Sequence, residues 1–317
     1  MAKKQEKNPS KKSITWGIVL AVALAIIIVV AIWFLGKMEP SSDAVTEFYE
    51  KESVSQKSQR ISRVKSEVPM TLLHYDYQGT LTNTAKAGVK SLYQKGREYA
   101  RNNDFENALQ SFTEALEKES DLKNKSVLNI QIGNVYLSLG KYTHAQKSFA
   151  TTVQETKETE DMVAKGYALG GIANSYVERP VQGNVQRERV LIKAISYYDG
   201  TLEIFFEDKY PFEYALLQSN FAIAYVELSA VNSATSSESI RKAMGCFDAA
   251  LKIFRKDEHP KQFSQTAANY GILLSEINNP NACKWLKEAY ELKKHLADNG
   301  EQIKTLIDKV CKDKVNE

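Results

Sequence analysis

Three cysteines in 317 residues are too few for a disulfide framework. Seven prolines and 15 glycines exclude a collagen-like or Pro/Gly-rich polymer. Neither sign of charge dominates. The 42 Lys and Arg against 39 Asp and Glu leave +3, without the basic excess that nucleic-acid binding needs. The histidines, His74, His144, His259 and His295, are far apart. There is no HExxH, CxxC, Gly-rich phosphate loop or GxSxG. No catalytic residues, metal site or cofactor are expected, and an enzyme is the least favoured class. What is present is ordinary for a packed protein: 43% apolar and 26% charged residues. That composition argues against a largely disordered chain.

One long apolar run stands out. Residues 14–36, ITWGIVLAVALAIIIVVAIWFLG, carry no charge over 23 positions. A spanning helix needs about 20 apolar residues. Trp16 and Trp33 sit near its ends, where indoles favour the lipid–water boundary. Five lysines precede the run (Lys3, Lys4, Lys7, Lys11 and Lys12), against one acid, Glu6. That bias predicts a cytoplasmic tail over 1–13 and a bulk on the non-cytoplasmic side. In a bacterium the bulk would be periplasmic or extracellular. A cleaved signal peptide has a shorter apolar region and a small-x-small site. The sequence here leads into Leu-Gly-Lys-Met-Glu-Pro instead, so residues 14–36 read as an uncleaved signal anchor. Residues 37–84 are polar and read as a juxtamembrane spacer. Within them MTLLHYDYQGTLT (70–82) is more apolar, fit for a short strand or for packing on the next domain.

A repeat follows. Gly96, Tyr99, Ala108 and Phe112 recur as Gly133, Tyr136, Ala145 and Phe149. Ala173, Tyr176, Ala194 and Tyr198 form a third copy, and Ala222, Tyr225, Ala243 and Phe247 a fourth. Gly271, Leu274, Ala282 and Leu286 form a weaker fifth. Each unit reads as two antiparallel helices. The small residues let the helices approach, and the large ones fill the space between units. No unit buries its apolar face alone, so the units must stack.

The pattern resembles the tetratricopeptide repeat. KGREYARNNDFENALQSFTEAL (95–116) and QIGNVYLSLGKYTHAQKSFATT (131–152) carry the closest likeness. Residues 214–228 with 243–254 resemble the longer units of kinesin light chains. Thr152 and Thr201 stand where a small Ala is usual. The resemblance implies an all-α solenoid of about five hairpins over 85–298, closed by a capping helix within 299–317. Units three and four hold nine extra residues, around 179–189 and 230–239. These read as longer helices and turns, or as adjacent loops that meet a partner, the first made basic by Arg179, Arg187 and Arg189.

In such repeats the first helices line a peptide-binding groove. The resemblance turns Tyr93, Arg97, Arg101, Gln131, Asn134, Tyr167, Asn174, Asn220, Ile223, Glu227, Asn269 and Glu276 that way. Four are asparagines, whose carboxamides both donate and accept and so suit a peptide backbone. The alternative is that they satisfy neighbouring helices or water. The carboxylate clamp of chaperone-binding repeats is absent in its usual form. Its positions carry Tyr93, Arg97, Gln131, Tyr167 and Gly171. Cys246, Cys283 and Cys311 read as buried thiols, although Cys283 and Cys311 suit a pair in an oxidising compartment.

The expected function is a membrane-anchored scaffold that binds another protein or peptide and assembles or holds a membrane or envelope complex. An organelle import receptor with a cytosolic solenoid is the alternative. The expected partners are protein and, through the anchor, the lipid bilayer, but not nucleic acid. Self-association also fits, because a membrane raises local concentration.

Overall fold

The structure is a computed structural model, and it describes residues 70, 72, 73, 79–295 and 300–312. All of these belong to the unit Glu52–Glu317. The apolar run 14–36 lies outside the described residues. Among the described helices, none is long and apolar enough to cross a membrane.

The described residues form eleven helices and no strand. They are α1 (Ala87–Arg101), α2 (Phe105–Lys118), α3 (Leu122–Ser138), α4 (Tyr142–Thr159), α5 (Met162–Glu178), α6 (Asn184–Leu202), α7 (Pro211–Val231), α8 (Ser236–Ile253), α9 (Pro260–Glu276), α10 (Ala282–His295) and α11 (Gly300–Lys312). Successive helices pair as hairpins, α1 with α2 through α9 with α10. The first helices also neighbour one another, α3 with α5, α5 with α7 and α7 with α9. This makes two layers. The first helices of units two to five are buried almost all round, whereas the second helices bury one stripe.

Local chemistry sets the boundaries. The side chains of Asp104, Asp121 and Asp161 accept from Asn107 N, Asn124 N and Ala164 N, capping α2, α3 and α5. Pro211 and Pro260 open α7 and α9, where a missing N–H costs nothing. The tight turns of units one, two and five share one device. Asn103, Gly140 and Asn278 take positive φ of 58°, 67° and 54°. The next residue then donates back across the turn: Asp104 N to Tyr99 O at 2.9 Å, Lys141 N to Tyr136 O and Asn279 N to Leu274 O at 2.8 Å. These bonds satisfy orphan carbonyls at the helix ends. The three acceptors are the repeat landmarks themselves.

The small residues do what their spacing implied. A Cβ at Gly96 would lie 2.6 Å from Phe112, and one at Gly133 would lie 2.6 Å from Phe149. At Gly271 it would lie 2.7 Å from Leu286. At these three pairs the helices approach so closely that a Cβ would collide with the large residue, whereas units three and four accommodate Ala173 and Ala222. Thr152 and Thr201 fit because their hydroxyls donate to Ser126 O at 3.4 Å and Tyr197 O at 2.8 Å.

The extra residues of units three and four are mostly helix. Only 179–183 and 232–235 remain as connections, and the second is tied to α6. Asn232 donates to Glu188 at 2.6 Å and accepts from Ala234 N and Thr235 N. Arg187 departs from the expected basic edge. It turns inward, donates to the carbonyls of Tyr176, Val177 and Arg179, and pairs with Glu227. The guanidinium thus caps the end of α5 and ties it to α7.

Cys283 and Cys311 also differ from the first expectation of buried thiols. Antiparallel α10 and α11 bring their Cα atoms to 5.7 Å, and the two are joined. The bond clips α11 to the last hairpin, whose apolar face it covers with Ile303 and Leu306. Cys246 is free, and burial pushes its thiol up to about 12.

Candidate functional site

The first helices present a row of carboxamides, and the chain's own backbone lies on it. Asn220 stands in the middle of α7, fully buried. Its Oδ1 accepts from the Leu73 N–H at 2.7 Å, and its Nδ2 donates to the Leu73 carbonyl at 2.7 Å. One side chain thereby pairs both main-chain groups of one residue and ignores what that residue is. Nδ2 also donates to Asn174 Oδ1 on α5 at 3.2 Å. That oxygen takes a second bond from the Tyr198 hydroxyl of α6 at 2.7 Å. Asn174 is thus a brace that fixes the orientation of Asn220.

Leu72 and Leu73 are 6% and 8% exposed. They enter two different apolar clusters. Leu72 joins Ala173, Val177, Phe221 and Ile223, while Leu73 joins Val89, Tyr93 and Leu128.

The segment is held again nearer α1. The Tyr93 hydroxyl donates to the Gly79 carbonyl, and Thr82 N donates to Asn124 Oδ1 at 2.7 Å. Asn124 lies in the first turn of α3, its own N–H satisfied by Asp121. The backbone therefore meets α7 first and α1 later, against the order of the helices. Met70 packs on both apolar clusters.

The remaining expected residues are placed as follows. Arg97 lies over the Tyr93 ring, 5.8 Å from its centroid. Arg101 is exposed at the end of α1. Gln131 is buried on α3, and Asn134 is half-buried one turn on. Tyr167 donates to Glu213 at 2.8 Å and meets Phe205 edge-on. Ile223 is buried beside Leu72. Glu227 takes the Arg187 pair described above. Asn269 is fully buried on α9 and accepts from Gln265 at 3.3 Å. Glu276, the last residue of α9, is buried. The structure therefore brings Tyr93 and Asn220 to the seated segment through hydrogen bonds, with Asn174 bonded to Asn220, and places Ile223 in the same apolar cluster as Leu72.

Two participants were missed. Asn124 sits beyond the repeat landmarks, in a capping turn. The segment itself reads as polar spacer; its one signal was the apolar run at 70–82.

The side chains that bond the described part of the segment, Tyr93, Asn124 and Asn220, are uncharged. The shifted groups lie elsewhere. Burial pushes Glu178, at the end of α5, up to about 7 and raises Tyr142 beside it. Burial likewise raises Glu155, which accepts from Ser126 and Asn129. Among the described residues, no group of three or more His, Cys, Asp or Glu is placed to hold a metal.

A family model described as Trs120/TRAPPC9, N-terminal domain, matches residues 29–177, a little under half of the chain. Two solved structures are similar to the chain. The crystal structure of MamA protein shares 16% identity, with 66% of this chain and 94% of that one covered, at a TM-score of 0.37. The complex of the TPR2AB domain of yeast Sti1 with pHSP90 shares 15% identity, with 70% and 98% covered, at a TM-score of 0.31. No curated protein matches the chain. From its own packing, the fold is an all-α solenoid of stacked helical hairpins.

Proposed function

We propose that the chain is a non-enzymatic protein–protein interaction scaffold, tethered to a membrane through residues 14–36. Its first-helix face holds an extended protein segment by the main chain, to assemble or hold a membrane complex. One observation carries this reading: Asn220 pairs both the N–H and the C=O of one residue, Leu73. A buried amide set up in this way is a backbone receptor, with apolar clusters on either side for the neighbouring side chains. The uncharged 23-residue run and the lysines before it support the tether, with the solenoid on the non-cytoplasmic side.

Two experiments test the proposal. The first is affinity capture from the source membranes with the full-length chain and with the chain carrying Asn220→Ala and Asn269→Ala. A protein held by the first and lost by the second is expected. Equal capture by both folded baits would move the site off the carboxamides. The second adds protease to sealed membrane vesicles from the cytoplasmic side. The solenoid should survive, and its digestion would reverse the orientation.

A further inference from the structure

The residues seated on the carboxamides belong to the same chain, only a few residues before α1. We infer that residues 72–73 and 79–82 are a displaceable resident ligand. The face opens when a partner's extended segment, carrying two adjacent apolar residues, takes the Asn220 seat. This rests on the reading of that face as a backbone receptor.

The seat has the features of an exchangeable site. At Leu73 it recognises main chain, which every protein offers. Its side-chain demand is simple: two neighbouring apolar groups, one for each cluster, as Leu72 and Leu73 supply. Among the described residues, two carboxamides that hold the resident or brace its seat keep a donor unused. Asn124 and Asn174 use their oxygens, at Thr82 N and at Asn220 and Tyr198, but the Nδ2 of each is buried without a hydrogen-bond partner. Buried orphan donors are costly. An incoming backbone whose carbonyls meet these two donors gains bonds that the resident lacks. That gives a partner in trans something to set against the resident's advantage, which is its tether. A short tether holds a segment at an effective concentration on the order of millimolar. A free segment with only the resident's own contacts therefore competes poorly until the resident is weakened. Apparent affinity is lowered by the fraction of time the seat is closed.

The probe is a fluorescein-labelled synthetic peptide of residues 68–83, read by anisotropy against the full-length chain in detergent. Three forms are compared: the natural chain, Leu72→Asp with Leu73→Asp, and that pair with Asn220→Ala. Carboxylates in the apolar clusters unseat the resident. The released form should bind the peptide at least about 10-fold tighter than the natural chain. Adding Asn220→Ala should abolish the gain. Equal binding by the natural and released forms, still sensitive to Asn220, overturns this inference and leaves the backbone-receptor reading standing. Binding indifferent to Asn220, or no binding by any form, overturns both.

A second measurement needs no substitution. Hydrogen exchange at the Leu73 amide of the natural chain should quicken at least about 10-fold when unlabelled peptide saturates the site. Unchanged exchange at saturation overturns the inference.

Discussion

Units four and five carry an asparagine at the same repeat position, two residues before the small landmark: Asn220 before Ala222 and Asn269 before Gly271. Both are fully buried on their first helices. Asn220 reaches across to a residue 147 positions away in the chain, whereas Asn269 accepts from Gln265 one turn back on its own helix. Equivalent amides of a repeat thus take bonds from different partners, Leu73 at Asn220 and Gln265 at Asn269. The region around unit four is also braced where unit five is clipped. Arg187 and Asn174 stiffen the first, and the Cys283–Cys311 bond holds the end of the second.

The largest effect should come from the brace. Arg187→Ala strips Glu227 of its guanidinium and uncaps the carbonyls of Tyr176, Val177 and Arg179. Breaking one side of such a buried pair costs about 4 kcal/mol, read by urea unfolding. A loss below about 1 kcal/mol would show that the pair does not tie α5 to α7.

Next comes the comparison itself. Asn220→Ala leaves the buried Leu73 N–H and C=O without their partner, at about 1–3 kcal/mol for each unsatisfied group. The segment can lift off and rehydrate, so its own seating energy caps the loss. Exchange at the Leu73 amide should therefore rise more than global stability falls. Protection kept in this variant would break the contrast between the two units.

A pH prediction comes from the end of α5, the helix that carries Asn174. Glu178 is raised to about 7 when folded, against about 4.5 unfolded. The folded state therefore holds the proton over that window. Stability is greatest below about 4.5 and declines as pH rises towards 7, by up to about 3 kcal/mol. In Glu178→Gln this slope should vanish in thermal melts across the same range. An unchanged slope would assign it to other groups.

The smallest effect on the segment should follow Asn269→Ala, which removes, among its interactions, the long bond from Gln265, itself worth about 1 kcal/mol. Exchange at Leu73 should not change. A loss equal to that of Asn220→Ala would mean that unit five holds a comparable load.

Much of the solenoid was legible in the sequence, because its rules are local. Gly96 against Phe112 and Gly133 against Phe149 are contacts between neighbouring helices, and their spacing repeats along the chain. The carboxamides were legible as residues suited to a backbone. Asn124 was not, since a capping turn lies outside the repeat landmarks. The Cys283–Cys311 pair stood as one of two readings until the α10–α11 crossing was known.

The sequence by itself determined the hairpins, their turns and the close approaches between them, because short-range sterics and helix periodicity write these into adjacent residues. Only the tertiary structure decided what lies on the first helices. The Leu73–Asn220 pairing joins residues 147 positions apart, and an extended stretch read as spacer leaves no periodic mark of its destination. Long-range pairing depends on which surfaces the stacked units finally present, and that is settled only once the whole stack has formed.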